Sequence, residues 1–232
     1  MYKAIFLDWD NTIGDWSGAE ALSLHDLYEG HHLSEFFESE EDFVRTYDEH
    51  NQALWKLYGK GEITKAFLCH DRFVHPLLKV LGLNFEPKAI GAFGDLLEDE
   101  FLHLTNKHFR LLPDAYEVTK KLSEKYPLTL ISNGFKEVQY YKLETSGLRD
   151  CFRHILISEE VGINKPQPGI YEEALRRNGI EAKDALMIGD SYFSDISGAK
   201  AAGIDQLWFT TNPGENTATY IVPKLTDILT IV

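Results

Sequence analysis

Positive charge is scarce in this chain: 23 Lys and Arg stand against 37 Asp and Glu, a formal net charge of −14 over 232 residues. No Lys/Arg cluster offsets that balance, so neither a nucleic acid polymer nor an anionic membrane is an expected partner. Cysteine is nearly missing as well. Cys69 and Cys151 lie far apart and form no CxxC pair, which fits free thiols in a reducing compartment. No apolar run is long enough to span a bilayer. The first seven residues carry one Lys, no long hydrophobic stretch and no small-residue cleavage site, so a cytoplasmic protein is expected. Internal repeats and low-complexity tracts are lacking, which sets aside solenoids and disordered tails. What remains is 44% hydrophobic and 26% charged, the composition of a folded chain that can bury one large domain or a domain with an insert.

Short apolar runs recur at residues 3–9, 128–131, 154–157, 185–188 and 206–209, each read as a buried strand. Helical stretches lie between them, at about 114–125, 135–146, 168–178 and 194–202, the last three stopped by Gly147, Gly179 and Gly203. Strands alternating with helices predict an α/β fold with a central parallel sheet covered on both faces. Residues 16–111 break the rhythm and read as all-helical. Ser39 is placed as the N-cap of a helix to about Lys60, and Thr64 as the cap of another that Pro76 should kink or end. Glu86 to His108 is a third. An all-helical stretch after the first strand reads as an insertion, giving a discontinuous core of 1–15 and 112–232 around an insert of 16–111.

Ligands of parallel α/β sheets bind at the carboxyl ends of the strands, so the polar residues there carry the functional argument. The first strand ends in Asp8-Trp9-Asp10-Asn11-Thr12 and the second in Ser132-Asn133-Gly134. Lys165-Pro166 follows the third, and Gly189-Asp190-Ser191 the fourth, with Asp195 one helical turn on. These groups suffice for phosphoryl transfer. One carboxylate can attack phosphorus. A second, two residues along, can protonate the leaving alcohol and then deprotonate water. The Asp8 and Asp190 carboxylates, a backbone carbonyl and waters suit the oxygen shell of Mg²⁺, and Ser132 and Lys165 can hold the other phosphoryl oxygens.

The order DxDxT, S/T-N-G, Lys-Pro and GDxxxxD resembles the four motifs of the haloacid dehalogenase superfamily, and the insert sits where that family places its helical C1 cap. The resemblance implies a Rossmann-like core, Asp8 as nucleophile and Mg²⁺ ligand, and Asp10 as general acid/base whose carbonyl also reaches the metal. It further implies Thr12 as a brace, Ser132, the Asn133 backbone and Lys165 as phosphate binders, Asp190 as a metal ligand and Asp195 in support. The dehalogenases of the superfamily lack the aspartate that Asp10 represents, since halide needs no acid to leave, so phosphate-ester chemistry is expected.

A narrower resemblance, to the pyrimidine 5′-nucleotidase branch, rests on three runs. These are His50 to Tyr58 with Gly61–Thr64 and Asp71–Phe73, then Ser132–Phe135 with Leu143–Asp150, then Ile157–Gly162. It implies a pyrimidine nucleoside 5′-monophosphate as the small-molecule partner; separately, the chain is expected as a monomer or homodimer. Trp16, Asn51, Trp55 and Arg72, with Tyr58 and Arg45, stand as readers of that nucleotide. N-acylneuraminate-9-phosphate, phosphoglycolate and sugar-phosphate phosphatases, a phosphomutase and a silent binding protein are the alternatives. His25, His31 and His32 show no zinc-like spacing.

Overall fold

The computed structural model describes residues 2–82 and 85–232. Chain order runs β1 (Ala4–Leu7), α1 (Trp16–Gly30), α2 (Glu40–Lys60), α3 (Lys65–Leu81), α4 (Pro87–Lys107) and α5 (Ala115–Lys125). It continues β2 (Leu128–Ser132), α6 (Lys136–Thr145), β3 (Phe152–Ile157), α7 (Ser158–Val161) and α8 (Pro168–Asn178). The last elements are β4 (Ala185–Gly189), α9 (Ser197–Ala201), β5 (Asp205–Phe209), β6 (Tyr220–Val222) and α10 (Leu225–Ile231). Two compact units result, Met1–Trp16 with Arg110–Val232, and Ser17–Phe109.

In the first unit the described strands form one parallel sheet in the order β3-β2-β1-β4-β5-β6. Every residue of β1, β2 and β4 is buried, which is why these strands read as unbroken apolar runs rather than alternating ones. One face packs Phe6, Ile131, Leu156 and Met187 against Ile170, Tyr171 and Ala174 of α8 and Ala199 of α9. Because β1 lies between β2 and β4, the carboxyl ends of these three strands are neighbours. The chain leaves and rejoins this unit side by side: the Asp15 amide donates to the Arg110 carbonyl (2.9 Å) and the Leu112 amide to the Ile13 carbonyl (2.9 Å).

The expected strands and helices are all present; α1, α7, α10 and β6 are additional to them, and two of the expected helices run differently. The strand β6 is new; three residues are too few to show a period. The 194–202 helix starts earlier, as a π-helical turn over Tyr192–Ile196 leading into α9, with Ser191 Oγ accepting from the Ser194 amide. The helix capped by Thr64 does not end at Pro76 but runs on to Leu81. Proline removes one N–H from the ladder, while Leu68, Phe73, Val74, Pro76 and Leu77 of α3 are all buried and α3 packs against α2 and α4. Tertiary burial outweighs the single lost bond. Ser39 and Thr64 cap as read, each hydroxyl accepting from an amide three residues on at 3.2 Å.

The helical unit is built around an ion pair. Arg72, expected to read a substrate, is 0% exposed. Its Nε and Nη2 donate to the two Glu98 oxygens at 2.5 and 2.6 Å, and its guanidinium lies 4.7 Å from the Phe101 ring centroid. Phe73, Phe101 and Tyr47 surround it with centroids 5.0–5.8 Å apart. The guanidinium is thus committed to α4, which corrects the expectation for this residue. Breaking a buried pair strands a charge, so Glu98→Ala should cost about 3–5 kcal/mol in urea unfolding. Replacing both partners by Met and Leu should cost far less; equal losses for the two variants would contradict this account.

Candidate active site

The loop after β1 folds back on itself: the Trp9 carbonyl accepts from the amides of Thr12, Ile13 and Gly14 at 3.2, 2.8 and 2.9 Å. Asn11 takes φ 59° to close the turn, a left-handed conformation that Asn tolerates better than most residues. Thr12, fully buried, has its hydroxyl 3.4 Å from Asp8 Oδ2 and 3.3 Å from Asp190 Oδ1, so it ties the ends of β1 and β4 together.

Lys165 occupies the centre of the cluster. Its buried ammonium donates to Asp8 Oδ1 at 2.5 Å and to Asp195 Oδ1 at 2.6 Å. Its backbone is held by Asn133, whose Oδ1 accepts from the Lys165 amide and whose Nδ2 donates to the Lys165 carbonyl, both at 2.8 Å. Ser132, 1% exposed, accepts from the Gly134 amide at 3.0 Å. Asp195 is 0% exposed, and its second oxygen accepts from the Ser191 amide at 3.0 Å. A Cβ at position 189 would lie 2.3 Å from that carboxylate, so the glycine before Asp190 makes room for Asp195. Trp208 steadies the other side, its Nε1 donating to the Asp190 carbonyl at 2.7 Å.

Negative charge is in excess here. Asp8, Asp190 and Asp195 offer oxygens within 4.8 Å of one another, and Lys165 is the cation bonded among them. Burial drives the Asp8 carboxyl up to about 7; Lys165 pulls it back, and the charges of Asp195 and Asp10 add to the rise. Burial, then Asp8 and Asp195, lifts Asp190 well above the carboxylate range. Burial works against the Lys165 ammonium, yet Asp195 and Asp8 outweigh it and hold the group above its ordinary value. Crowded carboxylates of this kind are stabilised by a divalent cation, and an all-oxygen donor set fits a hard one.

Asp10 stands apart from that cluster: its oxygens accept from Gln139 Nε2 (2.7 Å) and Lys142 Nζ (2.6 Å), both on α6. Neither donor stood out in the sequence reading. The signal was a Gln and a Lys one helical turn apart on the buried face of α6 with Val138 and Leu143. Trp16 belongs to this unit, and its ring face lies 4.5 Å from the Lys142 ammonium, so it is not a residue of the helical insert. In the helical unit, Asn51 is buried with Oδ1 lacking a partner and Nδ2 3.4 Å from Glu20. Trp55 is half-buried and meets Tyr58 edge-on at 5.6 Å. Arg45 is exposed and pairs with Asp42. His25 and His31 bond to separate carboxylates, Glu40 and Glu100. His50, Asp71 and His75 do gather, but the imidazole rings stack at 3.9 Å and 11°. Nitrogen lone pairs lie in the ring planes, so parallel rings do not converge on one ion.

Buried carboxylates gathered around one lysine at the carboxyl ends of a parallel sheet form a site that can hold a hard cation beside an anionic group. The chain belongs to the haloacid dehalogenase-like hydrolase family, whose model matches residues 2–203. It is 30% identical over 236 residues to the HAD-hydrolase YfnB of Bacillus subtilis, covering 100% of this chain and 95% of that one. The magnesium-bound crystal structure of YfnB superposes with a TM-score of 0.82 at 31% identity, over 99% of this chain and 98% of that one. The pyrimidine 5′-nucleotidase PynA of Streptococcus pneumoniae is 30% identical over 99% of this chain and 94% of its own length. The glyceraldehyde 3-phosphate phosphatase of Pyrococcus abyssi is 33% identical over 90% and 82%. No described helix is long and apolar enough to cross a membrane.

Asp195 gives the site a direct check. Asp195→Asn keeps the shape but removes the charge facing Lys165. Turnover should fall about 10- to 100-fold, the equivalent of one charge-assisted hydrogen bond of roughly 1.5–3 kcal/mol. Wild-type turnover in the folded variant would remove Asp195 from the site.

Proposed function

We propose that this hydrolase is a Mg²⁺-dependent phosphomonoesterase that works through an aspartyl-phosphate on Asp8 and prefers pyrimidine nucleoside 5′-monophosphates. The observation that carries the phosphatase reading is the pairing of two differently held carboxylates two residues apart. Asp8 is buried against Lys165, whereas the Asp10 side chain, 26% exposed, is held by Gln139 and Lys142. A nucleophile and a proton carrier need such separate surroundings.

The Asp8 carboxylate attacks phosphorus, and the bond from phosphorus to the ester oxygen breaks as Asp10 gives that oxygen a proton. Asp10 then takes a proton from water, whose oxygen attacks the aspartyl-phosphate, releasing orthophosphate and restoring Asp8. Lys165, Ser132 and the Asn133 backbone hold the phosphoryl oxygens. Asp8 and Asp190 would hold the Mg²⁺, with the Asp10 carbonyl; the ion offsets the charge that otherwise keeps a carboxylate from a phosphate. Asp195 supports Lys165, and Thr12 braces both strand ends.

These groups contact the phosphoryl group alone, so choice among esters falls to the inserted helical unit, to which we assign the role of a cap. Asn51, with its buried unpartnered amide oxygen, and Trp55 are its proposed readers. The pyrimidine preference is supported by the resemblance to PynA and to the pyrimidine 5′-nucleotidase YjjG of Escherichia coli, 34% identical over 75% of this chain. The glyceraldehyde 3-phosphate phosphatases, 30–33% identical over 88–90% of this chain, make a triose phosphate the second reading. The test is kcat/KM for UMP, dUMP, dTMP, AMP, GMP, glyceraldehyde 3-phosphate, phosphoglycolate and N-acetylneuraminate 9-phosphate, with Mg²⁺ and after EDTA. Pyrimidine nucleotides should lead and EDTA should abolish turnover. A triose or sugar phosphate leading by about tenfold, roughly 1.4 kcal/mol, would overturn the preference, and full activity in EDTA would overturn the metal requirement.

A further inference from the structure

Both oxygens of Asp10 are taken up from one side. Gln139 and Lys142 stand one turn apart on α6, and each is almost fully buried, 1% and 2% exposed. Lys142 is sealed further by the Trp16 ring over its ammonium. A buried lysine is rare and is retained only when paired. An apolar side chain of similar length would fill the same space without the cost of desolvating an ammonium. The carboxylate itself is not sealed: its side chain keeps 26% exposure while that of Lys142 keeps 3%. Each oxygen therefore uses one lone pair on a donor and retains the other.

A glycine serves the same arrangement. Gly134 does not have the positive φ that would call for glycine on backbone grounds. A Cβ there would instead lie 1.9 Å from Gln139 Nε2 and 2.8 Å from its Cδ. The third residue of Ser132-Asn133-Gly134 is small so that the Gln139 amide can pass it to reach Asp10.

We propose that Gln139 and Lys142 are positioning residues that aim the Asp10 carboxylate for proton transfer to and from the ester oxygen, with Gly134 as the clearance Gln139 requires. The ammonium of Lys142 donates only, so the proton that Asp10 delivers sits on a lone pair turned away from it. As the phosphorus–oxygen bond breaks, that proton passes to the leaving oxygen. In the second step a water proton returns to the same lone pair. This rests on the reading of Asp10 as the acid/base.

Leaving-group dependence separates positioning from general support. An alkyl ester needs a proton on its departing oxygen, whereas p-nitrophenolate leaves without one. kcat/KM, which reports the steps up to loss of the leaving group, is measured for p-nitrophenyl phosphate and for UMP, or whichever ester of the panel above is turned over fastest. Asp10→Asn should lower the alkyl value by about 100-fold or more and the aryl value by under about tenfold. Lys142→Met and Gln139→Met should show the same selectivity, about tenfold or more on the alkyl ester and under about threefold on the aryl one. Gly134→Ala should reproduce Gln139→Met, and the two changes combined should add nothing further, a non-additivity that a misfolded variant would not show. If Asp10→Asn is selective but the Lys142 and Gln139 variants lower both esters equally, or neither, the positioning role is overturned and Asp10 stands. If Asp10→Asn is itself unselective, the acid/base reading fails and the positioning role falls with it.

Discussion

The rest of the site depends on one buried ammonium held between two carboxylates. Lys165, 2% exposed, donates to Asp8 and Asp195 at 2.5 and 2.6 Å. Burying these charges is tolerable only if they are mutually satisfied. Each neighbour serves that end: Asn133 clamps the lysine backbone, the Ser191 amide takes the spare Asp195 oxygen, and Thr12 stands between Asp8 and Asp190. The balance is deliberately incomplete in sign. One cation faces the three carboxylates of Asp8, Asp190 and Asp195, and burial drives Asp8 and Asp190 upward. A hard divalent cation fits that deficit of positive charge, and under the proposed function a phosphoryl group would bind beside it.

The sheet turns this local chemistry into a site. With β1 between β2 and β4, the residues that follow three strands meet at one edge without any of the loops having to be long. Two glycines at those ends make room for side chains rather than for backbone turns. Gly189 admits the Asp195 carboxylate and Gly134 the Gln139 amide. Asp8 and Asp10 thereby acquire different partners although they are two residues apart. Asp8 faces Lys165 from the β3–α8 connection, and Asp10 faces the donors of α6.

The fold was legible in the sequence to the extent that burial writes itself into composition. The strands β1, β2 and β4 are buried throughout and read as apolar runs, and Ser39 and Thr64 announced their helices through cap chemistry. Three residues of β6 carry no periodicity, and the passage of α3 through Pro76 depends on packing that propensity does not encode. The polar residues that the structure gathers around Lys165 stood out in the sequence because they follow strands. Gln139 and Lys142 did not, because a lysine in a helix defaults to a solvated face and only the tertiary structure shows it turned inward. Arg72 erred in the opposite direction: an arginine among aromatics resembles a reader of substrate, and its commitment to Glu98, 26 residues away, is invisible until α3 and α4 are packed together.

The central claim is that Asp8 carries the phosphoryl group. Rapid acid quench of the Mg²⁺-loaded enzyme during turnover, followed by borohydride reduction and peptide mass spectrometry, reads it directly. The account predicts homoserine at position 8 and at no other aspartate, formed only when substrate is present. Unmodified Asp8 with the label on another residue, or turnover with no aspartyl-phosphate at any quench time, would contradict it.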